Sequence, residues 1–255
     1  MKVVMILFDG MRPDALRGIN EVEQMKSRST YCMSARTVFP SVTLPCHMSL
    51  FHSVEPTRHG VTTNVYTPQV RPVKGLCEVL TENGLNCDMY YTWSELQDIV
   101  RPGALHYSYF LNGHSDIDQY ELNDRVTENA ISNIEEFGSE FSFVYFGMPD
   151  SIGHKYGWMG EEYDKAIRYC WKNATKLMNT LSDEYTVVIL ADHGGHDRMH
   201  GTEEDTDMTI PVFIKGKGFE CGKSIDGVRI TDVAPTVCRL LGVNTDREWE
   251  GKSLI

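Results

Sequence analysis

The chain has 255 residues, 41% of them hydrophobic and 24% charged, which suits one large α/β domain with a sizeable core better than two small ones. A formal net charge of −12 argues against a nucleic-acid polymer as partner, because phosphate backbones are held by basic faces. No run of 18 apolar residues occurs, so no membrane span is expected. In chain order, the first apolar run is Val3–Phe8; Asp9-Gly10 interrupts it without a cleavage pattern, so it reads as a strand rather than an export leader. Leu76, Val79 and Leu80 stand at helical spacing, and Gly84 stops that helix. Leu85–Tyr91 reads as a strand. The stretch 92–119 has weak periodicity and reads either as a small lid or cap or as a connecting loop with a short helix. Val126, Ala130, Ile131, Ile134 and Phe137 form a helical stripe, and Phe141–Phe146 follows as an aromatic-rich strand. Tyr163, Ile167, Cys170, Ala174, Leu177 and Leu181 predict a long amphipathic helix. Tyr185–Ala191 is almost continuously apolar, as a strand buried on both faces should be. Ile210–Ile214 is a further strand, and a last helix begins at Thr231 or Asp232 and ends at Gly242. Repeated β-then-α units predict an α/β three-layer sandwich, with a mostly parallel central sheet and helices on both faces. The seven cysteines are scattered and form no CxxC, which points to a reducing, cytoplasmic setting.

Candidate chemistry falls at the ends of these strands. Asp9 follows the first strand at once, Asp150 follows Phe141–Gly147, and Asp192-His193 ends Tyr185–Ala191. In a parallel sheet all three lie at the carboxyl edge, where ligands bind. Asp150 and His154, four apart with Gly153 before the His, are placed to wrap a metal from a loop. His200-Gly201 follows on a Gly-rich loop, where His196 competes as a ligand. Thr43 sits in Phe39-Pro40-Ser41-Val42-Thr43-Leu44-Pro45-Cys46-His47, ahead of a short helical run. Backbone N–H groups favour negative charge there, so its hydroxyl is a candidate nucleophile once activated. An N-cap is the structural alternative for Thr43, and Ser41 and Cys46 are rivals in the same turn. Asp9, Thr43, Asp150, His154, Asp192, His193 and His200 together read as a two-metal phosphoryl-transfer set. Three His beside three Asp favour zinc, with manganese as the alternative.

The order Asp9, Thr43 in a Thr-x-Pro turn, Asp150-x-x-Gly-His154, Asp192-His193 and His200 resembles the alkaline phosphatase superfamily. It is most similar to the type I phosphodiesterase/nucleotide pyrophosphatase family. Arg58-His59-Gly60-Val61, Ile230-Thr231-Asp232-Val233-Ala234-Pro235-Thr236 and the closing Trp249-Glu250-Gly251-Lys252-Ser253-Leu254 extend the likeness over nearly the whole chain. The resemblance implies an alkaline phosphatase-like fold and two zinc ions. One would be held by Asp9, Asp192, His193 and the Thr43 oxygen, the other by Asp150, His154 and His200. It also implies Asn64 as donor to a phosphoryl oxygen, with a turn residue as the structural alternative, and a phosphoryl-threonine intermediate that water then hydrolyses. The expected activity is hydrolysis of phosphodiester or pyrophosphate bonds in a small-molecule phosphoester. Phosphonate or phosphomonoester hydrolysis on the same site is the alternative, and an inactive binding protein of the same fold is a third. Cys46 departs from the Asn often found after Thr-x-Pro. Thr43 and His47 stand where the sulfatase branch needs its oxidised nucleophile and Arg. The chain shows no large inserted domain of the phosphomutase kind. Tyr66, Tyr156 and Trp158 either stack on a substrate group or fill the core, and Arg198 and Lys155 either assist a monoester or stay solvated.

Overall fold

The computed structural model describes residues 1–101 and 103–255; residue 102, inside the stretch 92–119, lies outside the described residues. The elements run β1 (Lys2–Phe8), α1 (Asn20–Arg28), β2 (Thr30–Arg36), α2 (Thr43–His52), α3 (Pro56–His59), α4 (Leu76–Glu82), β3 (Cys87–Tyr91), β4 (Tyr107–Phe110) and α5 (Gln119–Glu136). They continue with β5 (Phe141–Phe146), α6 (Met148–Tyr156), α7 (Glu161–Met178), β6 (Tyr185–Leu190), α8 (Asp205–Met208), β7 (Thr209–Lys215), β8 (Lys223–Ser224) and α9 (Val233–Leu240).

The strands form one sheet in the order β4-β3-β5-β1-β6-β7-β2-β8. β4, β3, β5, β1 and β6 are mutually parallel, whereas β7 runs antiparallel to both β6 and β2. The fold is therefore a mostly parallel sheet with helices around it, as the alternating pattern predicts. Strand periodicity separates the layers. Phe143 of β5 meets Phe51 of α2 edge-on at 5.1 Å, while Phe8 of β1 meets Trp171 of α7 at 5.4 Å on the other face. Phe146 lies beside Phe8 on that second face, 5.4 Å away. Both sides of β1 and β5 are thus covered, which is why their sequences are apolar runs without alternation.

Register carries the consequence for function. Phe8 pairs with Phe146, and Leu7 with Leu190, so β1, β5 and β6 end level. The residues that follow each strand emerge together at the carboxyl edge. Several elements differ from the sequence reading. Asp150 and His154 lie on a helix, α6, and not on a loop. α1 and β2 were not anticipated: α1 buries only Val22 and Met25, and β2 carries a broken alternation with a bulge. Within 92–119, Ser94–Ile99 forms a 3₁₀ turn, β4 extends the sheet edge beside β3, and residues 111–118 connect β4 to α5.

Candidate active site

The imidazole of His193 is the centre of the first group. Its Nδ1–H donates to the Gly194 carbonyl at 2.7 Å, which leaves Nε2 as a bare lone pair. That nitrogen faces Asp9 Oδ1 at 3.3 Å, Asp192 Oδ2 at 3.3 Å and Thr43 Oγ1 at 3.1 Å. His154 and His200 repeat the arrangement. Their Nδ1 atoms lie 2.9 Å from the Arg198 and Ser41 carbonyls, and their Nε2 atoms lie 3.4 and 3.5 Å from Asp150 Oδ1. Asp150 also lies with Asp9 and His193 in a second ligand-spaced cluster, so the two groups adjoin. The rings of His193 and His200 stack at 3.9 Å across the junction.

Asp9 Oδ1, Asp150 Oδ1 and Asp192 Oδ2 are buried and accept no hydrogen bond among the described residues. Burial, then the charges of Asp192 and Asp150, push the Asp9 carboxyl well above its ordinary range. Burial raises Asp150 and Asp192 as well. Burial lowers His193 to about 4 and His200 to about 3, so both imidazoles are neutral at pH 7. Imidazole lone pairs and buried carboxyl oxygens converge, and the crowding that raises the carboxyls is what a cation would relieve. Such a donor set, His nitrogen with Asp oxygen, fits divalent cations of the zinc or manganese type.

Local sequence explains the placement. Thr43 is the first residue of α2, but Val42 is the N-cap and no side chain caps the helix. The Thr43 hydroxyl is therefore not used as a cap and turns to His193. The rivals in that turn are engaged elsewhere: Ser41 donates to the Thr202 carbonyl at 2.7 Å, and the Cys46 thiol is buried against Thr37 and raised by burial. His196 donates to Asp207 Oδ1 at 2.7 Å and stays outside both clusters. Asn64 sits at the cavity, but its Oδ1 accepts the Leu44 N–H at 3.0 Å. The backbone N–H next to Thr43 is thus bound to Asn64 and not directed at a substrate.

Supporting residues escaped the sequence reading. Tyr145 donates its hydroxyl to Asp9 Oδ2, and His47 lies behind Asp192 with Nδ1 3.5 Å from Oδ2. His47 stands four residues after Thr43, a helical spacing that was available as a signal. Trp158 belongs to the core and not to a stacking platform: its Nε1–H donates to the Gly10 carbonyl at 2.9 Å and its ring meets His154 edge-on at 5.1 Å. Tyr66 and Tyr156 are exposed and do not line the cavity that holds Thr43. Lys155 lies over the Tyr156 ring at 5.0 Å, and neither Lys155 nor Arg198 lines that cavity.

2,3-Bisphosphoglycerate-independent phosphoglycerate mutase from Listeria welshimeri is 27% identical over 230 residues, covering 76% of this chain and 42% of that protein. The protein of the same name from Clostridioides difficile is 29% identical over 143 residues, 53% of this chain and 27% of the other. The chain spans less than half the length of these curated relatives. Among solved structures, murine ectonucleotide pyrophosphatase / phosphodiesterase 5 superposes with a TM-score of 0.83 at 13% identity, over 99% of this chain and 98% of that one. Phosphonate monoester hydrolase of Agrobacterium radiobacter superposes with a TM-score of 0.78 at 14% identity, over 99% and 76%. At these identities the likeness is one of fold. Residues 3–205 match the family described as type I phosphodiesterase / nucleotide pyrophosphatase, and the chain belongs to that family.

Proposed function

We propose that the protein is a metal-dependent hydrolase of phosphodiester or pyrophosphate bonds, acting through a phosphoryl-threonine intermediate beside two divalent cations. The observation that carries this reading is the triplet of outward-anchored imidazoles, each with Nε2 facing a buried carboxylate oxygen that has no proton donor. Asp9, Asp192, His193 and Thr43 would hold one cation, and Asp150, His154 and His200 the other. Zinc is the first choice and manganese the second. When bound, a cation pair supplies charge that acidifies hydroxyls and neutralises the phosphoryl oxygens.

The chain's own residues do the rest. Thr43 Oγ attacks phosphorus from a fixed position in the first turn of α2, forming an O–P bond as the bond to the departing alkoxide breaks. Water then cleaves the phosphoryl-threonine and restores the hydroxyl. Asn64, anchored through its Oδ1, has Nδ2 donors without a partner among the described residues, and these would serve an equatorial phosphoryl oxygen. No Lys or Arg lines the cavity among the described residues. A doubly charged monoester would find no positive side chain there, so singly charged diesters are the favoured substrates. Phosphonate monoesters carry the same single charge and form the second reading. A cytoplasmic site of action fits the seven cysteines, all unpaired.

The test is metal content after purification without chelators, with hydrolysis of bis(p-nitrophenyl) phosphate, p-nitrophenyl phosphate and a p-nitrophenyl phosphonate. About two divalent ions per chain and a rate order of diester above monoester are expected. Hydrolysis indifferent to chelator, or faster on the monoester, refutes the reading.

A further inference from the structure

One wall of the same cavity plays no part in the chemistry described so far. It comes from the two loops that leave β3 and β4, and its construction is specific. The Gly113 N–H donates to the Thr92 carbonyl at 2.7 Å. A Cβ at Gly113 would stand 2.7 Å from that carbonyl oxygen, so only glycine lets the loops approach so closely. Gln119 Nε2 donates to the Gly113 carbonyl at 3.0 Å, and the Asn112 side chain accepts the His114 N–H at 3.0 Å. These contacts hold Trp93, His114 and Gln119 on the cavity while leaving the His114 ring, the Trp93 N–H and the Gln119 amide oxygen without partners among the described residues.

The character of that lining is distinctive. Apart from the candidate ligands and Tyr145, the side chains are Asn64, Thr92, Trp93, His114, Gln119 and Ser151, with Gly113 and Gly147 between them. No Lys, Arg or additional carboxylate is present, and no aliphatic side chain, among the described residues. The wall has no charge to match an ionic substituent and no greasy surface for an alkyl chain. It presents three hydrogen-bonding side chains, Thr92, His114 and Gln119, beside the Trp93 indole. Hydroxyl-rich groups use such a surface well, since each hydroxyl both donates and accepts and the ring's C–H faces rest on an aromatic plane.

We propose that this wall is a subsite for a neutral, polyhydroxylated substituent on the phosphoester, of the glycerol or sugar kind. The inference rests on the phosphodiesterase reading and adds the class of group carried by the phosphate.

A series of p-nitrophenyl phosphodiesters tests it, because the leaving group stays constant while the second ester group changes. The second group would be methyl, n-butyl, 2-carboxyethyl, choline, thymidine, glyceryl or glucosyl. The glyceryl and glucosyl esters should exceed the butyl ester about tenfold in kcat/KM, the yield of one or two hydrogen bonds. His114→Ala and Gln119→Ala should each lower the glyceryl-to-butyl ratio at least threefold, roughly one weak hydrogen bond. His114→Gln, which keeps hydrogen-bonding capacity, should restore part of that ratio. A thymidine, choline or butyl ester that equals or beats the polyol esters overturns the proposal, as does a ratio that survives both alanine variants. If no ester is cleaved, the phosphodiesterase reading falls and this inference with it; cleavage of all esters at equal rates removes the inference alone.

Discussion

Asp192 shows how a single residue can be costly to the fold and necessary to the site. Its Oδ1 accepts the Gly10 N–H at 3.2 Å, but Oδ2 is buried with no donor and faces His193 Nε2. Burial holds its carboxyl above the ordinary range, which means the ionised form is disfavoured in the folded chain. Asp192→Asn should therefore stabilise the chelator-treated protein by about 1–3 kcal/mol, the cost of an unsatisfied buried polar group. The same variant should lose most of the rise in Tm that zinc gives the wild type. A melting experiment with and without zinc reads both effects, and a variant still stabilised by zinc as the wild type is would count against Asp192 as a ligand. Thr43→Ala separates chemistry from binding at the same place. Diester hydrolysis should fall by roughly 10³-fold or more, since nucleophile loss removes the covalent route. The zinc-induced rise in Tm should largely persist, because Asp9, Asp192 and His193 remain. The candidate ligands were legible in the sequence because their types and order are chemically restrictive. Tyr145 and His47 were not, because an aromatic or His in an apolar run looks the same whether it fills the core or braces a carboxylate, and for Trp158 the sequence left stacking and core packing both open. Trp158 illustrates the point, since its one telling contact, with the Gly10 carbonyl, joins residues 148 positions apart.

At the scale of elements, α6 decides how well the second group of ligands is aimed. Asp150 and His154 stand at i and i+4 on it, so one helix turn sets their 3.4 Å approach. The sequence Met148-Pro149-Asp150-Ser151-Ile152-Gly153-His154 contains a Pro and a Gly and reads more naturally as a loop. Pro149 in fact falls in the first turn, where it is tolerated, and Gly153 is required by packing. A Cβ at Gly153 would lie 2.6 Å from the Trp158 ring, and one at Gly195 would lie 2.3 Å from the same ring. Gly153→Ala gains about 1 kcal/mol of helix propensity. It must also displace a buried indole that touches His154 and His200, an overpacking penalty of about 1–3 kcal/mol. The expected net result is lower stability in urea denaturation and weaker zinc affinity in a competitive chelator titration. Unchanged affinity would show that Trp158 does not brace the histidines. The long elements were legible because α7 and β6 have strong periodicities or continuous apolar runs. β2 and β4 were not, being short or irregular, and the antiparallel turn of β7 leaves no mark in its own residues.

The whole molecule has an acid-side weakness that lies apart from the candidate site. α2 carries Thr43 at its start and His52 at its end, and α3 closes with His59. The Val61 N–H donates to His59 Nδ1 at 3.1 Å, so the proton must sit on Nε2, where it reaches Ser49 Oγ at 3.1 Å. A second proton would set two N–H groups against each other inside the core. Burial, reinforced by His52, lowers His59 to about 3, and burial also lowers His52. The unfolded chain protonates these imidazoles near pH 6.5, and the folded chain resists doing so. Stability from them is complete above about pH 6.5 and is lost as pH falls toward the folded value, at up to about 1.4 kcal/mol per pH unit for each group. His59→Gln removes one such titration. It should be less stable than the wild type in urea at pH 7, through lost packing and hydrogen bonds. By pH 5 that gap should shrink by up to about 2 kcal/mol, because only the wild type bears the protonation penalty there. Both proteins carry the same candidate ligands, so the titration of Asp9, Asp150 and Asp192 cancels in the comparison. A gap that stays constant between pH 7 and pH 5 would mean that His59 already accepts a proton in the folded state, and that the acid sensitivity of this fold has its source elsewhere.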